Sequence, residues 1–332
     1  MIVRQKEARD WSKKFRGWHY RPEYIVTAEN IPQSFGVTMV DCPLVFQLEG
    51  RDGFYLWVTG FNGKGYQTFL LESTDLLYWQ YHSLSMGFGK NGAYDYGGVS
   101  FGGALFDHFT IESPRTLKKY NGLYHTLYGC YPKQNGYELR PGAQGLAVSE
   151  DGLVWRRFSE NTPVLSVNGA KDWESDCIYQ PFLLEEDGTF YNFYNAAKGD
   201  FEQTGIAVSN DLKDWTRYTE NPVLRNGDTG SYDEVFCSDG KVFRDGDHWV
   251  MLYFGVGKGS AHIMAAFSRD LMHWTRDPEP LYPAGGNPSG IDSKFAHKIS
   301  LIRNPVNDTY YMFYCAVGEK ERAIGLITSN KC

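Results

Sequence analysis

The segment Gly205-Ile-Ala-Val-Ser209-Asn-Asp211-Leu-Lys-Asp-Trp215 decides the fold, because it recurs. Ser73-Thr-Asp75-Leu-Leu-Tyr-Trp79, Ser149-Glu-Asp151-Gly-Leu-Val-Trp155 and Ser268-Arg-Asp270-Leu-Met-His-Trp274 repeat its Ser, Asp and Trp at the same spacing. Gly325-Leu-Ile-Thr-Ser329 begins a fifth copy, which the end of the sequence interrupts. A short apolar run precedes each Ser and a polar run follows each Trp. Such a pattern is a hairpin: the Ser and Asp side chains bond the backbone of a tight turn, and Trp restarts the next strand and packs between sheets. A second hairpin signal precedes each copy, at Arg51-Asp52-Gly53, Asn121-Gly122, Glu186-Asp187-Gly188, Asp245-Gly246 and Asn307-Asp308. Asp-Gly and Asn-Gly favour the two-residue turns that join antiparallel strands.

Two hairpins per unit, five times over, predict an all-β chain: a five-bladed β-propeller with four-stranded blades around a central axis. The blades are expected near 38–99, 100–167, 168–227, 228–286 and 287–332, as one domain over 1–332. The N-terminal segment, through Tyr24-Ile-Val-Thr27, is expected to supply the last strand of blade five and close the ring. A sandwich or a pair of barrels is the alternative, and so regular a period is hard to place in either.

Composition agrees. Aromatics make up 16% of the 332 residues beside 36 Gly, which suits packed strand seams and tight turns. The net charge of −7 weighs against a nucleic-acid binder, which would carry a basic face. No apolar run approaches the roughly 18 residues that cross a membrane. The first residues, Met1 to Trp11, are charged and lack an apolar leader, so a cytoplasmic protein is expected unless a leader has been removed. Cys42, Cys130, Cys177, Cys237, Cys315 and Cys332 show no metal-binding spacing, and most sit in apolar runs. They are expected to be reduced, as small hydrophobes. The sequence carries nothing that bears on oligomeric state.

In a propeller the first strand of each blade lines the axis, and the hairpin turn that follows serves as a ruler. Eleven residues before Asp52, Asp187, Asp245 and Asp308 stand Asp41, Asp176, Glu234 and His297. In blade two Glu112, nine before Asn121, is the nearest equivalent. A ring of four carboxylates and a histidine repels itself, and folding alone gives no reason for it. Glycoside hydrolysis does: it needs one protonated and one ionised carboxyl group, and a third acid nearby raises the pKa of the donor. The carbohydrate substrate would stack on aromatic rings, with Tyr96, Phe101 and Trp173 as candidates near strand starts.

At these residues the chain resembles the five-bladed propeller glycoside hydrolases, most closely family 43, with looser similarity to families 32, 117 and 130. The likeness covers about residues 38–330 and rests on the Ser-x-Asp-Leu-x-x-Trp repeat and the strand-start acids. It implies an inverting arabinosidase- or xylosidase-like hydrolase acting on oligo- or polysaccharide fragments. Asp41 in Val40-Asp41-Cys42-Pro43 would be the general base, Asp176 the pKa modulator and Glu234 in Tyr232-Asp233-Glu234-Val235 the general acid. The family's acid usually stands in Glu-Gly-Pro or Glu-Ala-Pro, and that look falls instead on Ile111-Glu112-Ser113-Pro114-Arg115. This segment also resembles the Glu-Asp-Pro-Arg of family 130, with Ser113 in place of Asp. Glu112 is therefore read as a sugar-binding group, with the acid role as its alternative. His297 is read as a site residue bonded to the axial acids; in some family 43 members a histidine here helps hold calcium, so a structural calcium is the one cofactor the likeness raises, and none is required. Arg115, Lys294 and Lys298 would cradle phosphate if the enzyme were a phosphorylase. A carbohydrate-binding propeller without catalysis is the remaining alternative.

Overall fold

The computed structural model describes residues 2–330; Cys332, read above as a reduced thiol, lies outside the described residues. Five consecutive stretches fold as antiparallel meanders. The first contains Met39–Phe46, Phe54–Phe61, Tyr66–Ser73 and Gln80–Met86. The second contains Gly98–Ala104, Leu123–Tyr131, Ala143–Ser149 and the short Arg156–Arg157. The third contains Cys177–Glu186, Thr189–Lys198, Phe201–Ser209 and Thr216–Arg217. The fourth contains Phe236–Asp245, His248–Gly257, Ser260–Ser268 and Thr275–Arg276. The fifth contains Phe295–Asn304, Thr309–Val317 and Arg322–Thr328.

The fourth strand of the fifth unit comes from the N-terminal segment, but from His19–Tyr20, which pairs with Arg322–Thr328. Of the expected run Tyr24–Thr27, Ile25 and Val26 bond Ile324, and no continuous strand forms there. Pro22 intervenes, and a residue without an N–H cannot continue the ladder. Before it, the helix Gln5–Ser12 lies along the edge of unit four. Trp11 stacks on His248 at 3.8 Å, and Gln5 Nε2 donates to Arg276 O at 2.7 Å.

The repeated turn forms as its residues dictate. Ser209 Oγ accepts from the Asp211 and Leu212 amides, and Asp211 Oδ1 accepts from Lys213 and Asp214 at 2.9 Å. The next residue in the repeat, Leu76, Gly152, Leu212 or Leu271, adopts a left-handed φ of 67–79°. Its carbonyl accepts from the indole N–H of the repeat's own Trp, at 2.7–3.3 Å. The Trp ring then packs on the second strand of the preceding unit: Trp155 on Trp57, Trp274 on Phe193, and Trp79 on Phe313 of unit five. First strands of successive units also lie side by side, and Phe295–Asn304 meets Met39–Phe46, where Val45 N donates to Ser300 Oγ at 2.9 Å.

Beneath each first strand of units two to four sits a buried acid. Asp95, Glu174 and Asp233 accept from Tyr128, Tyr194 and Tyr253 of the second strand. Each is also paired with an arginine two residues after the repeat's Trp: Arg157, Arg217 and Arg276. Asp292 of unit five accepts from Tyr314 at 3.0 Å. The third strand approaches these tyrosines closely, and a Cβ at Gly205 would stand 2.8 Å from the Tyr194 ring. A glycine is required there for room.

Unit two departs from the expected register. Its first strand is Gly98–Ala104, so Glu112 does not stand at the start of that strand. Residues 105–118 are an insertion between the first strand and the Asn121-Gly122 turn, tied down by the Gln47–Thr116 and Phe106–Leu117 bridges. Counting back from Asn121 therefore lands in the insertion. Removing one partner of a buried, hydrogen-bonded ion pair strands the other, so Asp233→Ala is expected to lower unfolding stability by about 3–5 kcal/mol. Denaturant titration checks this, with exposed Asp172→Ala as the near-neutral control.

Candidate active site

Every first strand carries a β-bulge. Strand pairing slips between Asp41 and Leu44, Phe101 and Gly103, Tyr179 and Pro181, Ser238 and Lys241, and His297 and Ile299. The residue after the first of each pair is Cys42, Gly102, Gln180, Asp239 or Lys298. The four that are not glycine hold φ between 36 and 54°. A non-glycine residue in this region costs on the order of 1–2 kcal/mol, and bulges re-aim side chains at functional sites. Here they bring buried polar groups together. Gln180 Nε2 donates to Cys42 Sγ at 2.9 Å, Lys298 Nζ reaches Asp41 at 2.8 Å, and Lys241 Nζ reaches Asp239 at 2.7 Å.

The structural column is thus Asp41, Phe101, Tyr179, Ser238 and His297. Asp41 and His297 share it as expected; Glu112, Asp176 and Glu234 do not. From this column to the turn Asp is eleven residues in units one and five (41 to 52, 297 to 308), but eight in unit three (179 to 187) and seven in unit four (238 to 245). The first hairpins differ in length, so a single ruler fails.

Asp41 is the charged centre. Its Oδ1 accepts from the Cys42 amide at 2.8 Å, and its Oδ2 is shared by Lys298 Nζ and Arg322 Nη2. Burial pushes its carboxyl up, but the Arg322 and Lys298 cations outweigh burial and hold it well below the usual carboxylate range. Burial, with the Arg322 and Lys298 charges, pushes His297 down to about 3. Its ring is therefore neutral: Nδ1 donates to Cys315 O at 3.0 Å, and Nε2 accepts from Arg322 at 3.3 Å. The likeness raised a calcium near His297, and there Asp41, His297 and Cys315 bring ligand atoms within 4.8 Å of one another. They do not fit it. Calcium takes six to eight oxygens, whereas this set offers one carboxylate already bonded to two cations, a histidine and a thiol.

Above Asp41 opens a cleft of about 230 Å³ that draws on units two to five. Tyr137 and Glu138 come from the 132–142 loop, Tyr179 from the bulged first strand of unit three, and Glu202 from the third strand of that unit. Phe254, Phe295, His297 and Arg322 complete the far wall. Glu202 is 6% exposed and accepts from Ser238 Oγ at 2.8 Å. Burial, then the like charge of Glu138, pushes its carboxyl up to about 7, against the bond from Ser238. Glu202 and Glu138 are the carboxylates that the sequence reading missed. Neither occupies a first strand, and the only local signal was an acidic residue within the apolar strand Phe201–Ser209.

The other expected site residues lie elsewhere. Asp176 is half exposed on the rim, where it accepts from the Gly199 amide at 2.8 Å and the Ser175 hydroxyl. Glu234 accepts from Gly230 N at 2.7 Å and Lys258 N at 3.5 Å. Both carboxylates clasp a turn of their own unit, and neither lines the cleft. Glu112 is exposed in the unit-two insertion, and Arg115 beside it is buried at 2% exposure against Phe243. Phe101 is fully packed between Trp57 and Trp155, and Trp173 stacks on Tyr194. Tyr96 accepts through its carbonyl from Gln134, and Lys294 is paired with Glu319 at 3.0 Å. Five cysteines, Cys42, Cys130, Cys177, Cys237 and Cys315, are free and buried. Among the described residues no helix is long and apolar enough to cross a membrane.

Residues 107–290 match the family described as "Glycosyl hydrolases family 32 N-terminal domain", one of the looser likenesses drawn from the repeat. Levanase of Bacillus subtilis (strain 168) is 27% identical over 182 residues, which is 51% of this chain and 25% of the levanase. The 1,2-β-oligomannan phosphorylase of Thermoanaerobacter sp. (strain X514) is 29% identical over 162 residues, covering 46% of this chain and 48% of that protein. The chain thus spans between a quarter and half the length of these relatives. A solved structure titled "Glycoside hydrolase" superposes with a TM-score of 0.84 at 26% identity, over 99% of this chain and 96% of the other. The fold is that of the propeller glycoside hydrolases.

The buried Glu202 makes a prediction about stability. Folded Glu202 keeps its proton until about pH 7, whereas its ordinary value is 4.5. The folded state therefore holds the extra proton between those values, and this group lowers stability as pH rises through that window. Glu202→Gln removes the effect, so the variant is expected to gain up to about 3 kcal/mol over the parent at pH 8 and nothing at pH 4. Denaturant melts at the two pH values check this.

Proposed function

We propose a glycosidase reaction for this chain, which belongs to the glycosyl hydrolase family 32 N-terminal domain family. One observation carries the reading: Glu202 and Glu138 share a cleft, and Glu202 keeps its proton near neutral pH. Glycosidic cleavage needs one carboxyl group to protonate the leaving oxygen and a second, ionised one to activate water or attack carbon. Glu202 suits the first role, because burial keeps it protonated where it works. Glu138, at the solvent edge of the cleft, suits the second. In the inverting form that the family 43 likeness implies, the Glu202 proton passes to the glycosidic oxygen as its bond to the anomeric carbon breaks. Water adds to that carbon from the opposite face and gives its proton to Glu138.

Asp41, whose oxygens are taken up by Lys298, Arg322 and a backbone amide, acts in this reading as a positioning group that holds Arg322 on the cleft wall. The alternative keeps Asp41 as base, Asp176 as modulator and Glu234 as acid; it has less support, because two of these three clasp turns outside the cleft. Tyr137, Phe254 and Phe295 offer ring faces to a sugar. The substrate is an oligo- or polysaccharide fragment, with arabinosidase- or xylosidase-like cleavage of a terminal unit. The five units are read as the blades of a closed five-bladed propeller forming one domain over 1–332. The cyclic packing of their first strands and Trp seams supports that.

A phosphorylase is the second reading, favoured by the likeness to an oligomannan phosphorylase. The Lys298 and Arg322 cations beside the cleft would hold the phosphate, but Asp41 already engages both. A panel of chromogenic glycosides, assayed with and without phosphate, tests these readings. The expected result is phosphate-independent release. Glu202→Gln is expected to lower kcat about 10²–10⁴-fold, with Glu234→Gln close to the parent. The reverse pattern would transfer the acid role to Glu234, and sugar binding without release by any substrate would leave a non-catalytic propeller. Activity of the parent is expected to fall as pH rises through about 7, where Glu202 loses its proton; a pH–rate profile checks this.

A further inference from the structure

The segment Glu112 to Arg115 resembled a sugar- or phosphate-binding motif, yet its arginine points away from the cleft. Arg115 holds a left-handed φ of 59° and is 2% exposed. Its stem is locked: Nε donates to Leu301 O at 3.0 Å, and the guanidinium lies 4.1 Å over the Phe243 ring. Among the described residues Nη1 and Nη2 are buried with no hydrogen-bond partner. They line a cavity of about 20 Å³ walled by Leu44, Phe182, Lys241, Phe243 and Ser300. Four first strands converge there, and the unit-two insertion closes the remaining side.

The charges around this axis do not cancel. Four buried or nearly buried cations, Arg115, Lys241, Lys298 and Arg322, face the buried carboxylates Asp41 and Asp239, with Glu202 on the cleft side near Lys298 and Arg322. Lys241 is bonded to Asp239, and Asp41 holds both Lys298 and Arg322. That leaves Arg115 without a carboxylate. An isolated buried cation is costly, and its donors each need an acceptor. Burial pushes this guanidinium down to about 9, so it is still charged at neutral pH.

We propose that the axial cavity is a binding site for one small monovalent anion of the halide class, chloride in physiological media, held by Arg115 Nη1 and Nη2 with Lys241 and the Ser300 hydroxyl beside it. The size of the cavity selects the ligand. It has room for about one water-sized sphere, so phosphate, sulfate and carboxylates do not enter. The anion would be the missing counter-charge at the point where units one, three, four and five meet. It would stabilise the fold and take no part in the cleft chemistry.

The test uses the full chain at constant ionic strength. Thermal melts in sodium chloride or bromide are compared with melts in sodium gluconate, whose anion is too large for the cavity. Halide at about ten times its Kd is expected to raise Tm by about 2 °C, and the rise is expected to vanish in Arg115→Met. Crystals grown in bromide are expected to show an anomalous peak within hydrogen-bonding distance of the Arg115 guanidinium. Should Arg115→Met fail to fold, the bromide map on the parent decides alone. Equal melting in halide and gluconate together with no bromide peak would mean that water fills the cavity, and would overturn the proposal.

Discussion

A carboxylate buried just ahead of the first strand, bonded to a tyrosine of the second strand and an arginine of the fourth, is the interaction on which the rest of the structure depends. Asp233 shows it in full: Tyr253 and Arg276 both bond it at 2.8 Å. Three elements of one unit are tied at a single buried point, in a dry setting where each bond is strong and each loss costly. In units two to four this anchors the segment that leads into the first strand. The residue beside each such acid is left at the surface. Glu234 directly follows Asp233, and Asp176 stands two residues after Glu174: the first acid of each pair clamps the unit from below, and the second clasps a turn on the rim.

The bulges convert this frame into a site. An unbulged strand would alternate its side chains in and out without exception. One extra residue in the left-handed region turns Gln180 and Lys298 toward Cys42 and Asp41 of unit one, and Asp239 toward Lys241 of its own strand. The outcome is a cation-rich floor with Asp41 at its centre. The floor's polarity explains the contrast between the two kinds of carboxyl group above and within it. Asp41 has two cations in contact and stays ionised although buried. Glu202 has a hydroxyl donor and a neighbouring carboxylate, so burial wins and its proton is retained. Environment alone separates an acid from an anion here.

Much of this was legible in the residues. The Ser-x-Asp-x-x-x-Trp spacing determined the turns, because each of its side chains acts within four residues of itself. Asn-Gly and Asp-Gly determined the first hairpins for the same reason. The pairing of Asp41 with His297 was legible because units one and five have first hairpins of equal length. The chemistry of the cleft was not. Glu202 reaches it from a third strand, and Glu138 from a loop of the preceding unit. Their approach depends on how units two and three pack, a relation that no local spacing encodes. Aromatic residues misled in the same way, since Phe101 and Trp173 look alike in sequence whether they face a sugar or a neighbouring tryptophan or tyrosine.

By itself, then, the sequence determined the β-class, the five-fold repetition and the turn geometry, all of which rest on interactions between residues close along the chain. Tertiary structure decided which acids are buried clamps, which hold surface turns and which meet in the cleft. The reason is physical. A carboxyl group takes its role from the charges, donors and water around it, and at Asp41, Glu202 and Asp233 those surroundings are supplied by residues distant in the chain.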